Sequence, residues 1–140
     1  MPFSIKVDQK HHLLIIKFWG VVDASGFEEE LTALDSMGPF DEHYRALQIY
    51  HEHVQYNVSA ALLRDAARTR SEGESPKQLP LHPKAKRVTV APTDLIFGLN
   101  RLLAAELYRS GAEYTIVRTI TEAAAELGMD VADIDASFPV

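Results

Sequence analysis

From Arg87 to Tyr108 the chain permits few folds. Val88 to Ala91 is a short apolar run, the mark of a strand covered on both faces. Pro92 stops it, and Thr93 is placed to cap the helix that follows. A strand handed directly to a capped helix is one βα unit, and the rest of the chain repeats that rhythm.

Phe3, Ile5 and Val7 alternate with polar residues, and Gln9 to His12 turns the chain into a second strand, Leu13 to Trp19, closing a hairpin. After Gly20, Ser25 and Glu28 have the spacing of a capping box. Phe27, Leu31 and Leu34 line one face of the helix it opens, which ends near Gly38-Pro39. Ala46 to Tyr50 reads as the third strand and Ser59 as the cap of a second helix. The polar run Ser71 to Pro83 is the longest loop. After the long helix, expected to end at Ser110-Gly111, come a fifth strand, Tyr114 to Arg118, and a last helix capped by Thr121 and stopped at Gly128. The order ββαβαβαβα predicts an α/β fold: a mixed, mostly parallel five-stranded sheet with right-handed crossovers. One domain, residues 1–140, is expected, with 129–140 a loosely held acidic tail.

The composition removes several chemistries. A net charge of -6 is wrong for a nucleic-acid binder, which wants surplus Lys and Arg. Without a cysteine there is no disulfide, thiol nucleophile or thiolate metal ligand. No run approaches the roughly 20 apolar residues of a membrane span, and Lys6, Asp8 and Lys10 interrupt any leader-like start, so a cytoplasmic protein is expected. Gly20, Gly26 and Gly38 are too scattered for a nucleotide loop, and no Gly-x-Ser-x-Gly elbow occurs. No cofactor is expected.

The hairpin, the capped first helix, the strand running into a second capped helix and the segment Val90 to Arg101 together resemble the STAS-fold family. That family is typified by anti-sigma-factor antagonists, and the resemblance is to its bacterial branch grouped with Sec14-like lipid-transfer proteins. It covers roughly nine-tenths of the chain. The resemblance implies a non-enzymatic regulatory or protein-interaction module, with a serine at the start of the second helix phosphorylated by a partner kinase. Ser59 matches that position, in Asn57-Val58-Ser59-Ala60; Asn57 stands where an acidic residue is usual, and no glycine follows. Asn57 and Ser59 are therefore the candidate partner-binding residues. Taken on its own, Ser59 needs no role beyond a helix cap.

His51 and His53 share a face if the strand continues through them, forming a polar, pH-sensitive patch; two histidines at this spacing fall short of a metal site, and none is expected. Lys84, Lys86 and Arg87 make a small positive patch suited to an anionic partner or to guarding a strand edge. On the long helix, Leu95, Ile96, Leu99, Leu102, Leu103 and Leu107 form an apolar arc expected to face the sheet, with Glu106 near its middle. Phe97, Arg101 and Tyr108 fall opposite, an interface composition that points to a homodimer or a partner protein. Two other functions stay open: a carrier of a small apolar or lipid ligand, and a hydrolase or transferase using the His51/His53 patch.

Overall fold

The computed structural model describes residues 3–38, 40–62, 64–65, 81, 84–107 and 113–138, the side chains of Asp35, Glu106 and Leu107 excepted. Strands β1 (Phe3–Asp8) and β2 (Leu13–Phe18) form the expected antiparallel hairpin, Phe3 opposite Phe18 and Asp8 opposite Leu13. Its tight turn holds His12 at a φ of 50°, a left-handed conformation. The main sheet then adds β4 (Arg45–Tyr50), β6 (Lys86–Val90) and β7 (Glu113–Val117), each parallel to its predecessor. The five strands lie in the order β1-β2-β4-β6-β7, which is their order along the chain.

That order decides where the helices go. Each parallel strand is added on the same side of the last, so right-handed crossovers place every connecting helix on one face. Helix α1 (Ala24–Asp35), the start of α2 (residues 60–62 and 64–65) and α3 (Asp94–Leu107) all contribute to a core over that face, with Leu14, Ile16 and Phe18 of β2 beneath them. Among the described residues no strand follows α4 (Ile120–Leu127), so no crossover constrains it, and it packs on the opposite face against Val88, Val90 and Val117. Leu13, Ile15, Leu47 and Ile49 continue this second core, which the residues after α4 complete with Ile134.

The expected tail is therefore a docked strap. A 3-10 turn (Val131–Asp133) aims Ile134 into the core. Asp135 then reaches both Lys6 and Lys17 at 3.3 Å, and Lys17 Nζ donates to the Ser137 carbonyl at 2.7 Å. Phe138 stands edge-on to His51 and to Trp19, at 4.9 and 6.3 Å between ring centroids. Counting acidic residues missed this because Lys17, on an otherwise apolar strand, supplies the charge they meet. Hydrogen bonds from the Ser137 hydroxyl and amide, with those from the two lysines, hold the Asp135 carboxyl well below the usual carboxylate range.

A second, two-stranded parallel sheet, unmarked in the sequence pattern, pairs β3 (Val21–Asp23) with β5 (Gln55–Asn57). It continues the β2–β4 pair past a kink: Gly20, at φ 66°, turns the chain after β2, and its carbonyl accepts the Gln55 amide at 2.7 Å. Two caps also move. Asp23, at the end of β3, caps α1 by accepting the Gly26 amide at 2.8 Å, displacing the expected Ser25. Thr119 caps α4 in place of Thr121: its hydroxyl oxygen accepts the Glu122 amide at 3.2 Å and donates to the Glu122 carboxylate at 3.1 Å. Thr93 and Gly128 act as expected, Gly128 in the left-handed conformation a glycine C-cap uses. β6 is interior, so the Lys84–Arg87 patch guards no edge: Arg87 is buried and Lys86 pairs with Glu113 and Glu126.

The leucine arc of α3 is rotated from its expected setting. Ile96, Asn100 and Ala104 are buried, with Phe97, Leu99 and Leu103 packed against the same core. Leu95 and Leu102, placed by the arc on the sheet, are 64% and 37% exposed. The cause is Asn100, a polar residue at the centre of the buried face. Its Oδ1 accepts from the Tyr114 hydroxyl at 3.0 Å, and its Nδ2 donates to the Ile96 carbonyl at 2.9 Å.

Candidate functional site

Asn100 belongs to a buried polar chain running between the sheet and its helices. Thr89 Oγ1 donates to Gln48 at 3.2 Å and lies 2.9 Å from the Tyr114 hydroxyl, which meets Asn100. The Tyr50 hydroxyl bonds Asn100 in turn, and Tyr56 bonds Tyr50. Glu30, buried although its neighbours Glu28 and Glu29 are solvated, adds a negative charge felt by both tyrosines. Burial, reinforced by these neighbours, pushes both phenols far above the ordinary tyrosine range. Because the folded values are raised, the stability they contribute is complete below the unfolded pKa of about 10 and is lost as pH rises beyond it. Alkaline titration followed by phenolate absorbance should show Tyr50 and Tyr56 ionising only together with loss of circular dichroism. Early, separate titration would contradict this. The chain is a structural network: its hydroxyls meet one another.

The residues proposed for partner binding lie at the end of the small sheet. Asn57, the last residue of β5, is the register partner of Asp23, so α1 and α2 start side by side. Asn57 and Ser59 are both exposed, and Ser59 Oγ accepts the Leu62 amide at 3.1 Å. Ser59 is thus a helix cap with its hydroxyl at the surface, where the first-turn amides and the helix dipole favour negative charge.

His51 and His53 follow β4 in a turn. The His53 amide donates to His51 Nδ1 at 3.1 Å, and the rings are 5.5 Å apart. They form a local turn contact, not a strand face. Among the described residues no three His, Asp or Glu side chains converge as metal ligands, and no histidine bonds a serine hydroxyl. His51 does line a cleft at the carboxyl ends of β4, β6 and β7, with Pro92, Arg118, Ile120 and Phe138. Sequence reasoning missed Arg118 and Phe138; the usable signal was the position of Arg118 at the carboxyl end of a parallel strand, where open α/β sheets place their ligands.

The third set is split. Arg101 is exposed, but Phe97 is packed into the core with the Arg118 guanidinium 4.1 Å above its ring. Tyr108 and the side chain of Glu106 lie outside the described residues. Among the described residues, the exposed large apolar side chains of α3 are Leu95 and Leu102. Phe97, Arg101, Ala104 and Tyr114 instead border a groove of about 440 Å³ between α3 and β7. No helix among the described residues is long and apolar enough to cross a membrane. No protein-family model, curated protein or solved structure matches the chain.

Proposed function

We propose that the chain is a non-enzymatic regulatory or protein-interaction module of the STAS type, working in the cytoplasm and meeting its partner around Asn57 and Ser59. The observation that carries this reading is the setting of Ser59: an exposed hydroxyl capping α2, at the end of the β3–β5 sheet and beside the start of α1. A phosphoryl group there would take over the cap with three acceptor oxygens, gaining from the free amides while placing a dianion at the surface.

The test is incubation of the purified protein with an anti-sigma-factor kinase of the kind that acts on STAS antagonists. Phosphate on Ser59, and a complex weakened at least about tenfold by Ser59→Asp, are expected from the charge a phosphoserine carries. Neither complex nor label would sink the reading. The cap itself predicts a separate result: Ser59→Ala lowers unfolding stability by about 1 kcal/mol, whereas Ser59→Asp holds it, since aspartate caps equally well. Urea titration of the two variants decides it.

Self-association through the outer face of α3 is part of the same proposal, redrawn around Leu95, Leu102 and Arg101. Replacing both leucines with serine should convert a dimer to a monomer in sedimentation without changing circular dichroism. A wild type that sediments as a monomer would remove the dimer.

A further inference from the structure

The cleft beyond β4, β6 and β7 is untouched by the Ser59 reading and independent of it. Its volume of about 330 Å³ lies at the lower end of small-molecule pockets, roughly 300–1,000 Å³. Its walls are mostly apolar: Val90 and Pro92 after β6, Ile120 on α4, Ala136 and Phe138 on the strap. Five polar side chains join them, and three already have partners: the Tyr50 hydroxyl bonds Asn100. Glu52 meets His53 Nε2 at 3.5 Å, and its carboxylate, 70% exposed, is screened by water. Thr119 is engaged with Glu122 as the α4 cap.

Arg118 and His51 remain. The Arg118 guanidinium is the one full positive charge lining the cleft. Stacking on Phe97 at 4.1 Å orients it. Its Nη2 lies 2.9 Å from Asp94 Oδ1, but the Asp94 side chain is 99% exposed, and a pair so solvated is easily exchanged. His51 Nδ1 accepts the His53 amide, so a neutral ring carries its proton on Nε2 and keeps a donor there. Phe138, edge-on at 4.9 Å, holds that ring in place.

We propose that this cleft binds a small amphipathic anion: one carboxylate or phosphate head on Arg118 and His51, and a short apolar body against Phe138, Ile120 and Pro92. The volume excludes a two-chain lipid and admits a single short chain. The planar guanidinium fork matches either oxyanion, so the geometry specifies the head's charge and leaves its identity to measurement.

The experiment is calorimetric titration of the whole protein with octanoate, octyl phosphate and octanol. Saturable binding of at least one anion is expected, with octanol roughly tenfold weaker or worse, the loss of a charge-assisted hydrogen bond. Whichever anion binds more tightly names the head. Arg118→Gln should weaken the anion by a similar factor and leave octanol unchanged. Asp94→Asn, a change at a solvated surface position, should strengthen anion binding severalfold by freeing the guanidinium. Octanol binding as tightly as the anions, an Asp94→Asn protein with unchanged affinity, or no saturation by any of the three would overturn the proposal.

Discussion

A chain ending at Met129 should lose about 3 kcal/mol or more of unfolding stability, the largest effect expected of any change outside the sheet itself. Burial of Ile134 alone is worth roughly 1.5–3 kcal/mol. Removing the strap also uncovers part of the apolar surface of Leu13, Ile15, Leu47 and Ile49, which no helix shields once α4 has taken the β6–β7 side. Lys17 loses both its carboxylate and its carbonyl partner. In the untruncated chain, by contrast, Lys17→Met should cost less than about 1.5 kcal/mol, because a buried charge held by a single strap has a desolvation penalty to set against its bonds. Urea unfolding of both proteins separates these effects. A truncated chain as stable as the full one would show that the strap merely rests on the sheet.

The second large effect is expected at Asn100. Asn100→Ala should destabilise by about 3 kcal/mol, since it opens a small cavity and strips partners from the hydroxyls of Tyr114 and Tyr50. Asn100→Leu keeps the volume but leaves the same hydroxyls short, so it should be nearly as costly. Adding Tyr114→Phe to Asn100→Leu removes one stranded hydroxyl and should recover part of the loss. A cycle showing simple additivity would mean that the hydroxyl finds another partner as readily. The double variant is worth making because Thr89 Oγ1, 2.9 Å from Tyr114, is the next group to be affected.

Asn100 also shows where sequence reasoning stops. The strands were legible because each carries an apolar run or alternation between clear breakers, and the parallel order followed from the helices between them. The rotation of α3 was not, because periodicity weights leucines as buried and asparagine as exposed, while a hydrogen bond to Tyr114, on the neighbouring strand, reverses both. The caps at Asp23 and Thr119 each lie two residues before the expected ones for a related reason: several cap-competent side chains stand together, and strand pairing decides which one ends the strand. The β3–β5 pair escaped because three-residue strands leave no periodicity to read. Ser59 is a cap, as its position predicts; nothing in the residues around it could say whether Arg118, far along the chain, would line a site of its own.

The chain-ordered sheet has a consequence for how the molecule is made. Each parallel strand pairs with the main-sheet strand before it, so during synthesis the sheet grows outward from the hairpin, and no early strand waits for a late neighbour. The strap reverses this economy. Lys6 meets Asp135 across 129 positions and Lys17 meets the Ser137 carbonyl across 120, so the β1–β2 hairpin is finished by residues made long after it. Until then one side of β2 stays open, and a nascent chain would offer it to any apolar surface nearby. Emergence of residues 134–138 is therefore the step at which this face of the sheet closes.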